Sequence, residues 1–116
     1  MMWVVEFLPE ADRDLGELDS SVRTIVLKGI EKVRKNPLPQ SEGGYGKPLG
    51  NHSSSSLANL LKIKFKNIGI RVVYKIVRDD DVMKVIIIST RDDEKVYREA
   101  ERRRRKYNLW GCASEK

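Results

Sequence analysis

Two lysines, Lys62 and Lys64, stand in a segment that alternates apolar and basic residues: Leu61, Ile63 and Phe65 against Lys62, Lys64 and Lys66. Period-two alternation is the pattern of a strand with one face on a core and the other carrying charge. A second such segment follows at once. Ile70, Val72, Tyr74 and Ile76 share one side, and Arg71 and Lys75 the other. If opposed residues sum to 135, Ile63 faces Val72, Phe65 faces Ile70 and Lys64 faces Arg71; a sum of 137 would also keep both apolar sides together. A one-residue slip would bury the lysines. Like charges side by side on a sheet face are unfavourable unless an anion fills the space between them. Phosphate is the natural anion. Arg91 follows the next strand, and Tyr97 lies further on, within a helix.

Cations around a phosphodiester bind it and stabilise the negative charge that develops at phosphorus during in-line attack. Arginine suits the second task through its planar, bidentate fork. A lysine crowded by other cations is suited to general acid–base work. A tyrosine can stack on a base or exchange protons. RNA carries its own nucleophile, the 2′-OH, so Lys62, Lys64, Arg71, Arg91 and Tyr97 would need neither metal nor cofactor. The products would be a 2′,3′-cyclic phosphate and a 5′-OH. On residue types alone, three readings stay open: a metal-free nuclease, a non-catalytic nucleic-acid binder and an interface for an acidic protein. Each residue also has a plainer role. The lysines could solvate a sheet face, Arg71 could pair with an acid, Arg91 could bind carbonyls at a strand end, and Tyr97 could be ordinary helix surface or core.

The charge distribution agrees with a polyanionic partner. The net charge is +6 over 116 residues, yet residues 1–59 carry 7 Lys/Arg and 8 Asp/Glu, whereas 60–109 carry 15 and 8. Other chemistries are short of parts. One cysteine (Cys112) and one histidine (His52) are too few for a Cys/His zinc site or an internal disulfide. Gly43-Gly44-Tyr45-Gly46 lacks the GxxxxGK[ST] spacing of a phosphate-binding loop. No nucleophile-elbow motif accompanies His52. No apolar run is long enough for a membrane span, and the N-terminal segment turns acidic too early for a signal peptide, so the expected compartment is the cytosol.

The elements that must position these residues read as β-α-α-β-β-β-α. Trp3–Phe7 is a short strand. Pro9 opens a helix with Ala11, Leu15 and Leu18 on one side. Asp19 or Ser20 caps a second helix, whose stripe is Val22, Ile25, Val26, Ile30 and Val33 and which Asn36-Pro37 ends. The Pro- and Gly-rich segment 37–56, with its Ser53–Ser56 run, is a long loop, ordered near Tyr45–Leu49. After the two basic strands, Asp79-Asp80-Asp81 turns the chain. Val82–Ser89 is nearly all apolar and suits a central strand covered on both sides. Thr90 and Asp93 have capping-box spacing. The last helix sets Val96, Ala100, Arg103 and Tyr107 on one side, with a basic run from Arg102 through Arg103, Arg104 and Arg105 to Lys106. The expectation is one α+β domain over residues 1–109, with 110–116 as a tail. Its sheet would be mainly antiparallel, with the helix pair on one face and the second face free as a concave basic groove.

The segment LLKIKFKNIGIRVVYKIVRDDDVMKVIIISTRDDEKVYREAERR resembles the second half of RelE/StbE-type toxins of the RelE/ParE superfamily. The first half is similar too, through WVVEFLPEADRDLGELD, a helix ending in NPLP, and GKPLG before the basic strand. KIKFKNIGIRVVYKI and ISTRDDEKVY are the most specific parts. The resemblance implies the toxin half of a type II toxin–antitoxin module. It implies a ribosome-dependent RNase that cuts mRNA in the A site, with Lys62, Lys64, Arg71, Arg91 and Tyr97 as its working residues. By that resemblance Lys64 serves near the nucleophile, Lys62 and Arg71 hold the scissile phosphate, Arg91 assists the leaving 5′-oxygen and Tyr97 stacks on the base. Lys66, Lys75 and Arg102–Arg105 would add RNA and ribosome contacts. The implied partners are the ribosome with its mRNA and a small acidic antitoxin that neutralises the groove or displaces the last helix. One departure is Ser89-Thr90, where many relatives place His, Gly-Lys or similar before the arginine. The alternative on the same fold is a ParE-like inhibitor of DNA gyrase, which generally lacks the five-residue set.

Overall fold

The computed structural model describes residues 3–48, 60–90 and 93–106. Strand β1 (Val4–Phe7) leads into helices α1 (Pro9–Gly16) and α2 (Ser20–Val33). A short 3-10 turn (Gln40–Glu42) precedes β2 (Lys47–Pro48), then β3 (Leu60–Phe65), β4 (Ile70–Val77), β5 (Val82–Ser89) and α3 (Asp93–Lys106). The sheet order is β1-β5-β4-β3-β2. Only β1–β5 is parallel, and the other three pairings are antiparallel. The α+β architecture is the expected one. The two-residue β2, within the segment expected to be ordered loop, forms the sheet edge beside β3.

The β3–β4 register places Ile63 opposite Val72, Lys64 opposite Arg71 and Phe65 opposite Ile70, the first of the two registers that keep the apolar residues on one face. Leu61, Ile63, Phe65, Ile70, Val72 and Tyr74 therefore share one face. Helix α2 covers that face with Val26, Ile30 and Val33, all buried. Its approach is so close that a Cβ at Gly29 would collide with the Phe65 ring. Tyr74 is fully buried, and its hydroxyl donates to the Pro37 carbonyl at 2.7 Å. Burial pushes that hydroxyl's pKa up. Gly46 is also fixed by this contact, since a Cβ there would run into the Tyr74 hydroxyl. Ile25, expected in the buried stripe, is 45% exposed. It lies just off the arc centred on Val26 and Ile30, which alone meets the sheet.

Strand β5 lies between β1 and β4, with Met83 and Val85–Ile88 buried. Its pairing with β4 slips once: Val73 pairs with Ile87 but Tyr74 with Val85, so Ile86 is the extra residue of a bulge. The bulge lets consecutive apolar residues serve both faces of the sheet.

The second face is not the open groove expected from the sequence. Helix α3 packs on β5 and buries Val96, Tyr97 and Ala100. The cause is Val73 and Ile87, which stand on the same face as Arg71 and give α3 apolar surface to cover; both are buried. As a result Lys62 is 8% exposed and Lys75 is 7% exposed.

Candidate nucleic-acid interface

The part of the second face left open by α3 lies at the β3–β4 hairpin. Lys64 and Arg71 face each other across the two strands, and Ser89 on β5 is Arg71's partner on the other side. Lys64, Arg71 and Ser89 thus form a row across three strands. Lys64 and Lys66 are exposed, and Arg71 is half-buried. A cleft of about 310 Å3 opens here, lined by Lys64, Phe65, Lys66, Gly69, Ile70 and Arg71. Gly69 takes φ +67 in the turn that shapes it, a conformation glycine adopts without strain. Three cations around a cleft suit a phosphate.

Lys62 precedes Lys64 on the same face, but α3 roofs it. Its Nζ donates to the Tyr97 hydroxyl at 2.6 Å and lies 5.3 Å from the centre of the Tyr97 ring. Tyr97 is 2% exposed, so the tyrosine joins the basic strand to α3. Arg91 and the Thr90–Asp93 cap fall on or beside residues outside those described. The described end of β5, Ser89-Thr90, shows only that the chain leaves the sheet beside Arg71. His52, Cys112, Tyr107, the Ser53–Ser56 run and the 110–116 tail also lie outside the described residues.

Lys75 does not join this group. It is four residues from Arg71, roughly 13 Å along a strand, and pairs with Leu60 and Lys84. Lys84 is bound to Glu6 at 2.9 Å.

The basic run of α3 is largely occupied by acids. Arg103 is buried rather than displayed. Its Nη1 donates to Asp14 at 2.7 Å and to the carbonyl of the bulge residue Ile86 at 2.9 Å, while Nε donates to Glu99 at 2.9 Å. Arg102 reaches Glu10 and Glu99 at 2.6 Å each, Lys106 reaches Glu10 at 2.8 Å, and Arg105 pairs with Glu101 at 2.6 Å. The side chain of Arg104 is outside those described. The run therefore fastens α3 to α1. Sequence reasoning missed the acceptors on α1. The available signal was Glu10 and Asp14 one turn apart, matching cations at similar spacing on α3.

This clasp has a pH signature. The hydrogen bond from Lys106, together with the Arg102 and Arg103 charges, holds the Glu10 carboxyl at about 2, below its ordinary 4.5. Arg102 and Arg103 lower Glu99 likewise. A depressed carboxyl stabilises the fold fully above its unfolded value and loses that contribution as pH falls through the folded one. Stability should therefore fall between about 4.5 and about 2 on Glu10's account. Glu10→Gln should flatten this acid limb. Urea midpoints at neutral pH and at about pH 3 should differ less in the variant than in the wild type, and an unchanged difference would contradict the assignment.

Among the described residues no group of three His, Cys, Asp or Glu is placed to hold a metal ion, and no helix is long and apolar enough to cross a membrane. No family model matches this sequence, and neither does any curated protein. Solved structures do. An E. coli RelE toxin double mutant in the free state superposes with a TM-score of 0.68 at 25% identity, over 89% of this chain and 98% of that one. The fold is that of the RelE toxins. The intact E. coli RelBE toxin–antitoxin complex matches with a TM-score of 0.60 at 23% identity, over 78% of this chain and 98% of its counterpart. The RelBE2 complex of Mycobacterium tuberculosis matches at 0.56 and 21%, over 78% and 93%. These two likenesses concern the fold. In this RelE-like chain the fold places Lys62, Lys64 and Arg71 on one face and sets Tyr97 beside Lys62.

Proposed function

We propose that this protein is the toxin of a type II toxin–antitoxin system and an endoribonuclease that cleaves mRNA in the ribosomal A site. The observation that carries the reading is the row formed by Lys64 opposite Arg71 at the mouth of a basic cleft, on a RelE fold. In this reading Lys64 stabilises charge near the attacking 2′-OH or takes its proton. Arg71 and Lys62 hold the phosphate, and Arg91 serves the leaving oxygen. The ribosome positions the RNA, which explains how few acid–base groups suffice. The proposed compartment is the cytosol.

An antitoxin is the second proposed partner, because related folds occur in complexes with RelB-type antitoxins. The basic face calls for an acidic protein.

The test is a cell-free translation assay that maps 5′ ends on an mRNA, with wild-type protein and Arg91→Ala. Cuts at A-site codons, present only with ribosomes and missing in the variant, are expected. The new ends should carry 5′-OH, and an mRNA with 2′-deoxyribose at the scissile position should resist cleavage. Intact mRNA with wild-type protein would overturn the proposal and turn attention to gyrase supercoiling. Cleavage of the 2′-deoxy mRNA would overturn the 2′-OH mechanism alone.

A further inference from the structure

Strand β1 stops short of the end of β5. Its last residue, Phe7, pairs with Val85, and the Leu8 amide donates to the Val85 carbonyl. Strand β5 runs on to Ser89 without β1 beside it. The next backbone groups are met by side chains instead. The Ile86 carbonyl accepts from Arg103 Nη1 at 2.9 Å, and the Ile88 amide donates to Asp14 Oδ2 at 3.2 Å. The same Arg103 nitrogen donates to the same Asp14 oxygen at 2.7 Å. A carboxylate from α1 and a guanidinium from α3 thus provide the acceptor and the donor that an edge strand would provide.

These bonds fall on the bulge residue Ile86 and on Ile88 just past it. In a regular strand Lys84 and Ser89, five residues apart, would stand on opposite faces. The extra residue puts both on one face: Lys84 is opposite Lys75 and Ser89 opposite Arg71. The row Lys64, Arg71, Ser89 therefore depends on where the bulge sits. A bulge absorbed into the ladder would turn Ser89 to the α2 face and shift the point at which the chain leaves the sheet, two residues before Arg91. We infer that Asp14 and Arg103 are positioning residues: their ion pair takes the place of β1 along the end of β5, holds the bulge at Ile86, and so keeps that strand end beside Arg71 for the scissile phosphate. The pair is well shielded, with side chains 19% and 9% exposed, so water competes weakly for these bonds. A group that stabilises developing charge must be in place before the charge appears, and its supporting residues decide whether it is. The clamp rests on geometry alone; its effect on cleavage rests on the ribonuclease reading.

The first readout is amide exchange followed by NMR on the full-length protein. Asp14→Ala should speed exchange of the Ile88 amide by about tenfold. The Leu8 amide, bound to β5 through backbone alone, should be unchanged. Equal Ile88 rates in the two proteins would overturn the clamp, and so would a rise shared by Leu8, which marks general loosening. The second readout is single-turnover cleavage on programmed ribosomes, below the melting temperature of every variant. Asp14→Ala should lose about tenfold in maximal rate with its half-saturating concentration unchanged. Asp14→Asn keeps an acceptor oxygen and should lie between Asp14→Ala and the wild type in both readouts; should Asp14→Ala not fold, the comparison is Asp14→Asn against the wild type. Val33→Ala opens a cavity on the α2 face, away from the bulge, and should cut at the wild-type rate although it melts lower. A wild-type rate in Asp14→Ala, or an equal loss in Val33→Ala, would overturn the positioning role. If the wild type cuts no mRNA, the ribonuclease reading fails and the effect on cleavage with it, and Ile88 exchange still decides whether the pair holds β5.

Discussion

Arg71→Ala should reduce mRNA cleavage by about 10²–10³-fold while leaving the melting temperature nearly unchanged. Arg71 stands opposite Lys64 and beside the end of β5, at the centre of the basic row. In the proposed reaction a guanidinium there would meet the phosphate with two parallel N–H donors, and alanine supplies none. Its half-exposed position explains why the fold should tolerate the loss: the apolar side of β4 faces α2 and is untouched. The row also brings like charges together, so removing one cation relieves repulsion in the free protein. Toxicity in cells, 5′-end mapping and circular dichroism of the purified variant would check this together. A melted spectrum would contradict the assigned strand face, and unreduced cleavage would remove Arg71 from the reaction.

Arg103→Ala should cost about 3 kcal/mol of stability, a fall of roughly 10–20 °C in melting temperature for a domain of this size. The guanidinium is buried and bonds Asp14, Glu99 and the Ile86 carbonyl. Its removal leaves Asp14, Glu99 and Glu10 clustered without their central cation and an acceptor in the bulge without its donor. Arg105→Ala is the matched control. Arg105 pairs only with Glu101 among the described residues, and its side chain is 66% exposed, so its loss should change stability by a small fraction of that amount. Equal melting temperatures for the two variants would refute the idea of a structural bolt. Because Arg103 holds α3 in place, its loss should also loosen Tyr97 from Lys62, and cleavage should fall with stability.

Much of the fold was legible before any coordinates. Strands β3 and β4 declare their faces by alternation; two registers keep those faces, and the structure adopts the one that sets Lys64 opposite Arg71. The nearly continuous apolar run of β5 marks a central strand, and β5 lies between β1 and β4. The α2 stripe was legible apart from Ile25, which a helix period places only to within the width of an arc. The basic half of the chain favoured a polyanionic partner, and the shortage of Cys and His left too few ligands for a Cys/His zinc site. Resemblance then supplied what pattern could not, the individual roles of the five residues.

The second face was misread for a physical reason. Alternation reports which residues share a side, not what comes to lie on that side. Val73, between Arg71 and Lys75 in space, was the overlooked sign that the face was partly apolar and would be covered. The run Arg102–Lys106 looks the same in sequence whether it faces RNA or carboxylates. Only the return of α3 past α1 brings Glu10 and Asp14 within reach.

By itself, then, the sequence determined the strand faces, the hairpin core and the basic side of the hairpin, because each depends on local periodicity and on neighbouring segments; the register that makes Lys64 and Arg71 a row was fixed between two by the structure. The tertiary structure alone decided that α3 roofs Lys62, that Tyr97 turns its hydroxyl to that lysine, and that Arg103 becomes a buried bolt. Those outcomes depend on contacts between residues far apart in the chain, such as Asp14 with Arg103 and Lys62 with Tyr97. Their energies come from burial and charge pairing that no local pattern encodes.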